Sequence, residues 1–290
     1  MRATMETATE LAVRLSKASR KKFWNVYSVF DWPEKLDYSH WFMPPELISL
    51  YGTPAWEKLD EEQRHKLSLF EMANLFSLTA QGEMPLVQGL IGQMYPHHDP
   101  DITGYLHHFL DEENKHMVMF TEFCRRYIGK VYLYKKIALP RKYEKGEEDV
   151  SFFIKALTVE EIGDYYNVLA AKDERVHPIV REINALHHSD EARHIVFGRE
   201  VMRSTFEEHS ADWSKATLAG VREWIANYLR SSWADFYNPA VYRDAGIPDG
   251  YAAREFALGS EVCRAHRKRA SEKLVSFLLE SGILEVEPVL

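Results

Sequence analysis

Two stretches of this chain repeat one spacing of metal-type ligands: E-x-x-H stands at residues 113–116, ENKH, and again at 191–194 inside HHSDEARH. Side chains three and four apart stack on one face of an α-helix, so Glu113 joins His116, and His187 joins Glu191 and His194. Both faces point inward. Leu106, Phe109, Leu110, Phe120 and Phe123 share helical spacing with the first copy, and Val180, Ile183, Asn184, Ile195 and Gly198 with the second. One E-x-x-H is common on solvated helices and says little. Two copies on apolar stripes are far more restrictive, because bundles that hold two metal ions take E-x-x-H from each of two helices and one Glu from each of the other two. The chain is therefore expected to be all-α and to supply two lone glutamates.

Asp60 is a good N-cap with Glu61 and Glu62 behind it, and helical patterning runs from there to about Met94. Its inward row is Phe76, Ala80, Glu83, Val87 and Leu90, and a carboxylate in such a row needs a cation. Glu71, beside Leu67, Leu75 and Leu78, is the competitor. Glu83 is preferred because it lies 30 residues before Glu113, a length that suits antiparallel neighbours joined by the PHHDPD turn at 96–101. His97, His98 and Asp99 in that turn are flanked by prolines and read as a connection, not a metal site. Pro85 marks a local kink. The next helix runs from after Asp101 to about Tyr127, with Gly129 at its end, and residues 130–150 form a long link. A helix resumes at Ser151 and carries Glu160 and Glu161. Glu160 shares a face with Phe153, Leu157 and Asp164, whereas Glu161 shares one with Ile154, Leu157, Tyr165 and Val168; periodicity favours Glu161 slightly. Pro178 opens the helix of the last motif.

This places a metal-binding core at about 60–205 within one domain, 1–290. Additional helices are expected at about 5–30, 213–235 and 250–281, extending the bundle or forming a dimer surface. An ordered, aromatic-rich loop covers 31–59, FYNPAVYRDAGIPDG reads as a loop, and the terminal EVEPVL as a loose tail.

Charge narrows the chemistry. Four carboxylates buried without counter-ions would each cost several kcal/mol, whereas two divalent cations cancel them. Carboxylates with imidazoles suit iron or manganese better than zinc, whose structural sites are Cys-rich and whose catalytic sites hold fewer carboxylates. His187 is surplus to the six-ligand pattern: a seventh ligand, a hydrogen-bond partner of a ligand, or a packed core histidine. The net charge of −8 and pI near 5.9 argue against nucleic acid and anionic membrane as partners and favour a small-molecule substrate. The basic cluster Arg20, Lys21 and Lys22 reads as a solvated helix segment. Cys124 and Cys263 are too few for a disulfide framework and suit a reducing cytoplasm. With no apolar run of about 18 residues and no signal-peptide core, a soluble cytoplasmic protein is expected.

Taken in order, Glu83, E-x-x-H at 113–116, Glu160, and H-x-x-x-E-x-x-H at 187–194 resemble the para-aminobenzoate N-oxygenase family of ferritin-like di-iron enzymes. The likeness covers about residues 60–205, and the third histidine separates that family from generic ferritin-like proteins. The 27 residues from Glu160 to His187 resemble the family's spacing, which moves the choice from Glu161 to Glu160. The resemblance implies a ferritin-like four-helix bundle with additional N- and C-terminal helices. It implies two Fe ions held by Glu83, Glu113, His116, Glu160, His187, Glu191 and His194, with O₂ as co-substrate. Its substrate would be a small-molecule amine, taken to hydroxylamine, nitroso or nitro in specialised metabolism. The expected partners are an external electron donor, ferredoxin or reductase, and a second copy in a homodimer. A desaturase-type or radical-generating di-iron protein shares six ligands but lacks the histidine at 187, and a storage ferritin would hold hundreds of irons per assembly. Tyr165, Tyr166, Asn167, Arg193 and Cys124 lie near the ligands in sequence and receive no role.

Overall fold

The computed structural model describes residues 6–94, 99–134 and 142–290. Among these the chain is all-helical, with a single isolated bridge between Trp41 and Val176 as its strand-like pairing. In chain order the helices are α1 (Ala8–Lys21), the one-turn α2 (Pro54–Glu57), α3 (Glu61–Gln93), α4 (Pro100–Tyr127), α5 (Glu147–Lys172), α6 (Pro178–His209), α7 (Lys215–Phe236), α8 (Pro239–Asp244), α9 (Gly250–Gly259) and α10 (Glu261–Glu280). Helices α3 to α6 make the bundle: α3 packs on α4 and α5, and α6 packs on α5 and α4. Outside them, α1 lies across α4 and α6, while α7 and α10 lie against α5.

Local chemistry sets the ends of the bundle helices. Asp60 accepts from the Gln63 N–H at 2.8 Å and Gln63 returns the bond, closing a capping box on α3, which then runs through Pro85. Asp99 caps α4, accepting from the Asp101 and Ile102 N–H groups, while His97 and His98 lie outside the described residues. Helix α5 starts at Glu147, ahead of the expected Ser151, because Gly146 takes φ +76° where a Cβ would sit 2.1 Å from the His209 ring. A second close approach matters more. A Cβ on Gly82 would lie 2.7 Å from Val159, so only glycine lets α3 and α5 cross there, and this crossing sets the turn carrying Glu83 beside the turn carrying Glu160.

The flanks depart from the expected boundaries. α1 stops at Lys21 rather than near residue 30, because the Asn25 side chain accepts from the Tyr27 N–H at 3.0 Å and turns the chain, which lets Trp24, Val26 and Phe30 enter the core. The aromatic loop that follows is pinned across the α5–α6 connection by Trp41, whose N–H donates to Arg175 O at 3.0 Å and whose carbonyl accepts from His177 at 2.8 Å. Phe42, Met43 and Leu50 then seal that end of the bundle. The helix expected at 213–235 is α7, shifted by a residue or two at each end. The one expected at 250–281 is two helices, because Ser260 is extended (φ −72°, ψ 135°) after Gly259. The loop before it contains α8, capped by Asn238. Nor is the C-terminus loose: Arg230 and Arg267 donate to the carbonyls of Val289 and Leu290, Lys268 pairs with Glu287 at 3.0 Å, and Leu290 packs against the core. Among the described residues no helix is long and apolar enough to cross a membrane.

Candidate metal centre

All seven sequence-predicted ligands lie inside the bundle. Glu83 comes from α3, Glu113 and His116 from α4, Glu160 from α5, and His187, Glu191 and His194 from α6, and none is more than 3% exposed. Six of them converge in two overlapping clusters. Glu113, His116, Glu191 and His194 each place a ligand atom within 4.8 Å of the others, and so do Glu83, His116 and His187. Glu160 belongs to neither cluster, although its Oε1 is buried without a hydrogen-bond partner.

The two motif glutamates have the geometry of bridges. Glu113 sets Oε2 3.5 Å from His116 Nδ1 and Oε1 2.7 Å from His194 Nδ1. Glu191 sets Oε1 3.3 Å from His116 Nδ1 and Oε2 3.4 Å from His194 Nδ1, so each carboxylate spans the same two imidazoles. His187 points into the cluster, with Nε2 2.8 Å from Glu191 Oε1 and 3.7 Å from Glu83 Oε1. These approaches lack hydrogen-bond alignment. Both oxygens of Glu83, Glu113 and Glu191, and the facing nitrogens of His116, His187 and His194, are left buried and unpartnered. Each such group costs about 1–3 kcal/mol, and more when charged, unless something satisfies it. Two divalent cations would satisfy the whole set at once, and the donor types are those that iron and manganese take.

The far nitrogen of each imidazole is held from outside. His116 Nε2 faces Asp190 Oδ2 at 3.3 Å, His194 Nε2 faces Glu112 Oε2 at 2.9 Å, and His187 Nδ1 meets the Asn167 side-chain amide at 2.6 Å. The first two pairings cross: the acid that precedes one E-x-x-H holds the histidine of the other. Arg193 ties them together, donating to Glu112 at 2.6 Å and to Asp190 at 2.5 Å, as well as to Ser19 on α1 and the Ser189 carbonyl. Trp24 adds a donor, its indole N–H reaching Asp190 Oδ2 at 2.8 Å. Such partners fix which ring nitrogen is free to ligate and raise its basicity. Glu112 and Asp190 escaped the sequence reading, yet the signal was present, since an acid immediately precedes the glutamate of both motifs. In the sequence, Asn167 and Arg193 stand out only by their proximity to the ligands. Phe109 stacks on His194 at 3.9 Å and Phe120 meets His187 edge-on at 4.8 Å, walling the cluster with apolar rings.

Protonation follows from burial and crowding. Burial pushes the Glu83 and Glu191 carboxyls up. It acts on Glu113 as well, but His194 and His116 beside that carboxyl hold it down to about 2. His116 and His194 are raised in spite of burial, by Asp190 and Glu113 for the first and by Glu191 and Glu113 for the second. His187 goes the other way, driven down by burial and then by the charge of His116. A neutral imidazole offers its lone pair.

Other sequence candidates have partners of their own. Glu71 accepts from both the N–H and the hydroxyl of Ser49. Glu161 is paired with Arg199, and His188 with Asp164 at 2.6 Å. Tyr166 turns to His266 on α10, at 3.0 Å. Cys124 and Cys263 are free, buried thiols that face backbone carbonyls.

A family model described as P-aminobenzoate N-oxygenase AurF matches residues 5–282. An uncharacterized protein of Mycobacterium tuberculosis is 28% identical over 270 residues, covering 87% of this chain and 74% of its own length. One of Mycobacterium bovis is 28% identical over 211 residues, and there the match spans 67% of this chain and 60% of the relative. Among solved structures, an R2-like ligand-binding oxidase with aerobically reconstituted Mn/Fe cofactor is similar at a TM-score of 0.51, with 16% identity, 96% of this chain covered and 94% of that one. A point mutant of such an oxidase gives a TM-score of 0.53 at 17% identity, covering 94% and 93%. At that identity the likeness speaks for the ferritin-like fold.

Proposed function

The chain belongs to the P-aminobenzoate N-oxygenase AurF family of ferritin-like oxidoreductases with a two-metal centre, and from that premise we propose that it is a di-iron N-oxygenase that uses O₂ to oxidise a small-molecule amine. One observation carries the reading: buried, unpartnered carboxylate and imidazole atoms from α3, α4 and α6, three of them histidine nitrogens, face one another in the bundle. A structural bundle has no reason to keep such a set, because apolar residues of similar volume would be as stable or more so.

Glu83, Glu113, Glu160 and Glu191 would hold the two ions as carboxylates, and His116, His187 and His194 would add neutral nitrogens. Four carboxylates against two divalent ions leave no net charge. Glu160 is preferred to Glu161 because Arg199 already neutralises the latter while Glu160 keeps an orphan oxygen. When bound, two redox-active ions supply the activation of O₂ and the electrons that reduce it. The protein's own contribution is positional: Asp190, Glu112 and Asn167 orient the rings, and Phe109, Phe120 and Trp24 keep bulk water from the cluster. An amine, a ferredoxin or reductase as electron donor, a homodimer and a cytoplasmic setting complete the proposal.

The test is anaerobic loading with ferrous iron, followed by O₂ and a panel of aryl and alkyl amines, read by product mass. The expected outcome is about two irons per chain and an aryl amine gaining oxygen on nitrogen. An iron-loaded protein that consumes O₂ and leaves every amine unchanged would overturn N-oxygenation while keeping the oxidase. Metal analysis of protein loaded with manganese and iron together separates a di-iron centre from the Mn/Fe cofactor of the R2-like structures.

A further inference from the structure

The stretch from Leu11 to Phe30 holds five cations and no acid, in a chain whose net charge is −8. The cations at its end are not neutralised: Arg20 donates to the His108 ring at 3.3 Å and Lys22 to the Ser189 hydroxyl at 3.0 Å, both uncharged partners. Asp111, on the α4 turn next to His108, is taken by Lys115, whose ammonium also lies 4.2 Å over the Phe23 ring. Beside these cations two large aromatics stand in water, Phe23 at 67% and Tyr27 at 81% exposure. Exposed aromatics and arginine are enriched at protein interfaces, and a patch of one charge steers a partner of the opposite charge.

Position says what the face is for. The turn that exposes Phe23 and Tyr27 buries Trp24 between them, and Trp24 lies 6.4 Å, centroid to centroid, from the His116 ring while its N–H reaches Asp190. One ring layer therefore separates this surface from the ligand cluster. The apolar side of α1, with Leu11 and Leu15, is turned into the protein, so the helix has no second apolar face to lay into a lipid surface.

We infer that Arg20, Lys21, Lys22, Phe23 and Tyr27 form the docking face for an acidic one-electron carrier protein, of the iron–sulfur or flavin class, that reduces the metal centre. The inference rests on the two-metal reading above, not on which substrate is oxidised. Each encounter oxidises the carrier by one electron and lowers one metal ion by one, from the trivalent to the divalent state, and two encounters restore both.

The iron-loaded full chain is titrated with a plant-type ferredoxin, and separately with flavodoxin, between about 0.02 and about 0.5 M salt. Parallel samples carry Lys21→Glu with Lys22→Glu, or Phe23→Ser with Tyr27→Ser. Reduction of the iron is timed with reduced carrier and with dithionite, and binding to phosphatidylserine vesicles is measured alongside. The expected result is carrier binding that weakens as salt rises, and a loss of roughly tenfold or more in affinity and in the carrier-driven rate on charge reversal. Iron content and the dithionite rate should match the wild type, which separates lost docking from lost folding. Equal affinity and rate in the charge-reversed protein would overturn the proposal, as would vesicle binding without binding of either carrier. A chain that docks the carrier and takes its electrons yet leaves amines unchanged would refute N-oxygenation and leave the docking face standing.

Discussion

Glu71 and Glu83 are carried by the same helix, both are buried, and their surroundings treat them in opposite ways. Around Glu71 the loop preceding α2 supplies a backbone N–H at 2.8 Å and the Ser49 hydroxyl, and Tyr242 bonds that hydroxyl in turn at 2.6 Å. Around Glu83 no donor is aligned with either oxygen, and the imidazoles of His116 and His187 lie 3.8 and 3.7 Å from its Oε1. A buried carboxylate with its own donors is part of the scaffold, and one surrounded by other ligand atoms is part of a site that a cation completes. The carboxylate cluster at the centre and the serine–tyrosine pocket roughly 18 Å along α3 thus separate two meanings of the same residue type.

The largest effect should come from removing a residue that spans the cluster. Glu191→Ala deletes oxygens facing all three imidazoles and is expected to abolish loading, taking iron by mass spectrometry from about two per chain to near zero. Loading should stabilise the wild type by about 2.7 kcal/mol at a hundredfold excess of metal over its dissociation constant, and leave the variant's melting temperature unmoved. Glu71→Gln should load like the wild type. Loss of metal in Glu71→Gln, or full occupancy in Glu191→Ala, would erase the distinction between the two regions.

Most of the centre could be read from sequence because a helix converts spacing into direction. The stripes around Glu113 and Glu191 fixed two inward faces, and Glu83 followed from its row with Phe76, Ala80 and Leu90. Glu160 and Glu161 show where that argument ends. Helix α5 is enclosed by α3, α6, α7 and α10, so Phe153, Ile154, Leu157, Glu160, Glu161 and Tyr166 are all buried, and the few exposed positions, Glu148, Lys155 and Leu169 among them, are too sparse to orient the two glutamates. What separates the two glutamates is non-local: Arg199 from α6 reaches one, and the Gly82–Val159 contact brings α3 beside the other. The turn after Lys21 was hidden for a different reason, since Asn25 bonding its neighbour outcompetes a helical pattern that the preceding residues would otherwise extend.

Glu71 gives the second prediction, through pH. Burial lifts its carboxyl from the ordinary 4.5 to about 7, against the two bonds from Ser49. A folded-state value above the unfolded one means that its contribution is fully present below pH 4.5 and is lost as pH climbs through 7. Glutamine keeps the neutral form at every pH. Glu71→Gln should therefore be more stable than the wild type at pH 8, by on the order of 3 kcal/mol, and the gain should shrink toward zero near pH 5. Urea denaturation at both pH values measures it. A constant difference would mean that glutamine changes packing around Ser49 and that the charge was never the cost.

The smallest effect is expected at Glu161, and it sharpens the comparison because its neighbour in sequence is assigned to the metal. Glu161 is 6% exposed as a residue, yet Arg199, its partner, keeps 31% of its side chain in solvent beside a surface pocket of about 350 Å³. Removing the charge with Glu161→Gln therefore strands nothing in the interior: Arg199 can turn outward and be solvated, and the glutamine can still accept one of its hydrogen bonds. Pairs with one exposed partner contribute about 0–1 kcal/mol, so stability should change by no more than that, and iron loading should match the wild type. Glu160→Gln makes the same chemical change one residue earlier and should lower metal affinity by tenfold or more while leaving the Arg199 pair intact. If the two variants exchanged these outcomes, the lone glutamate of α5 would be Glu161, and the orphan oxygen on Glu160 would have to be explained without a metal.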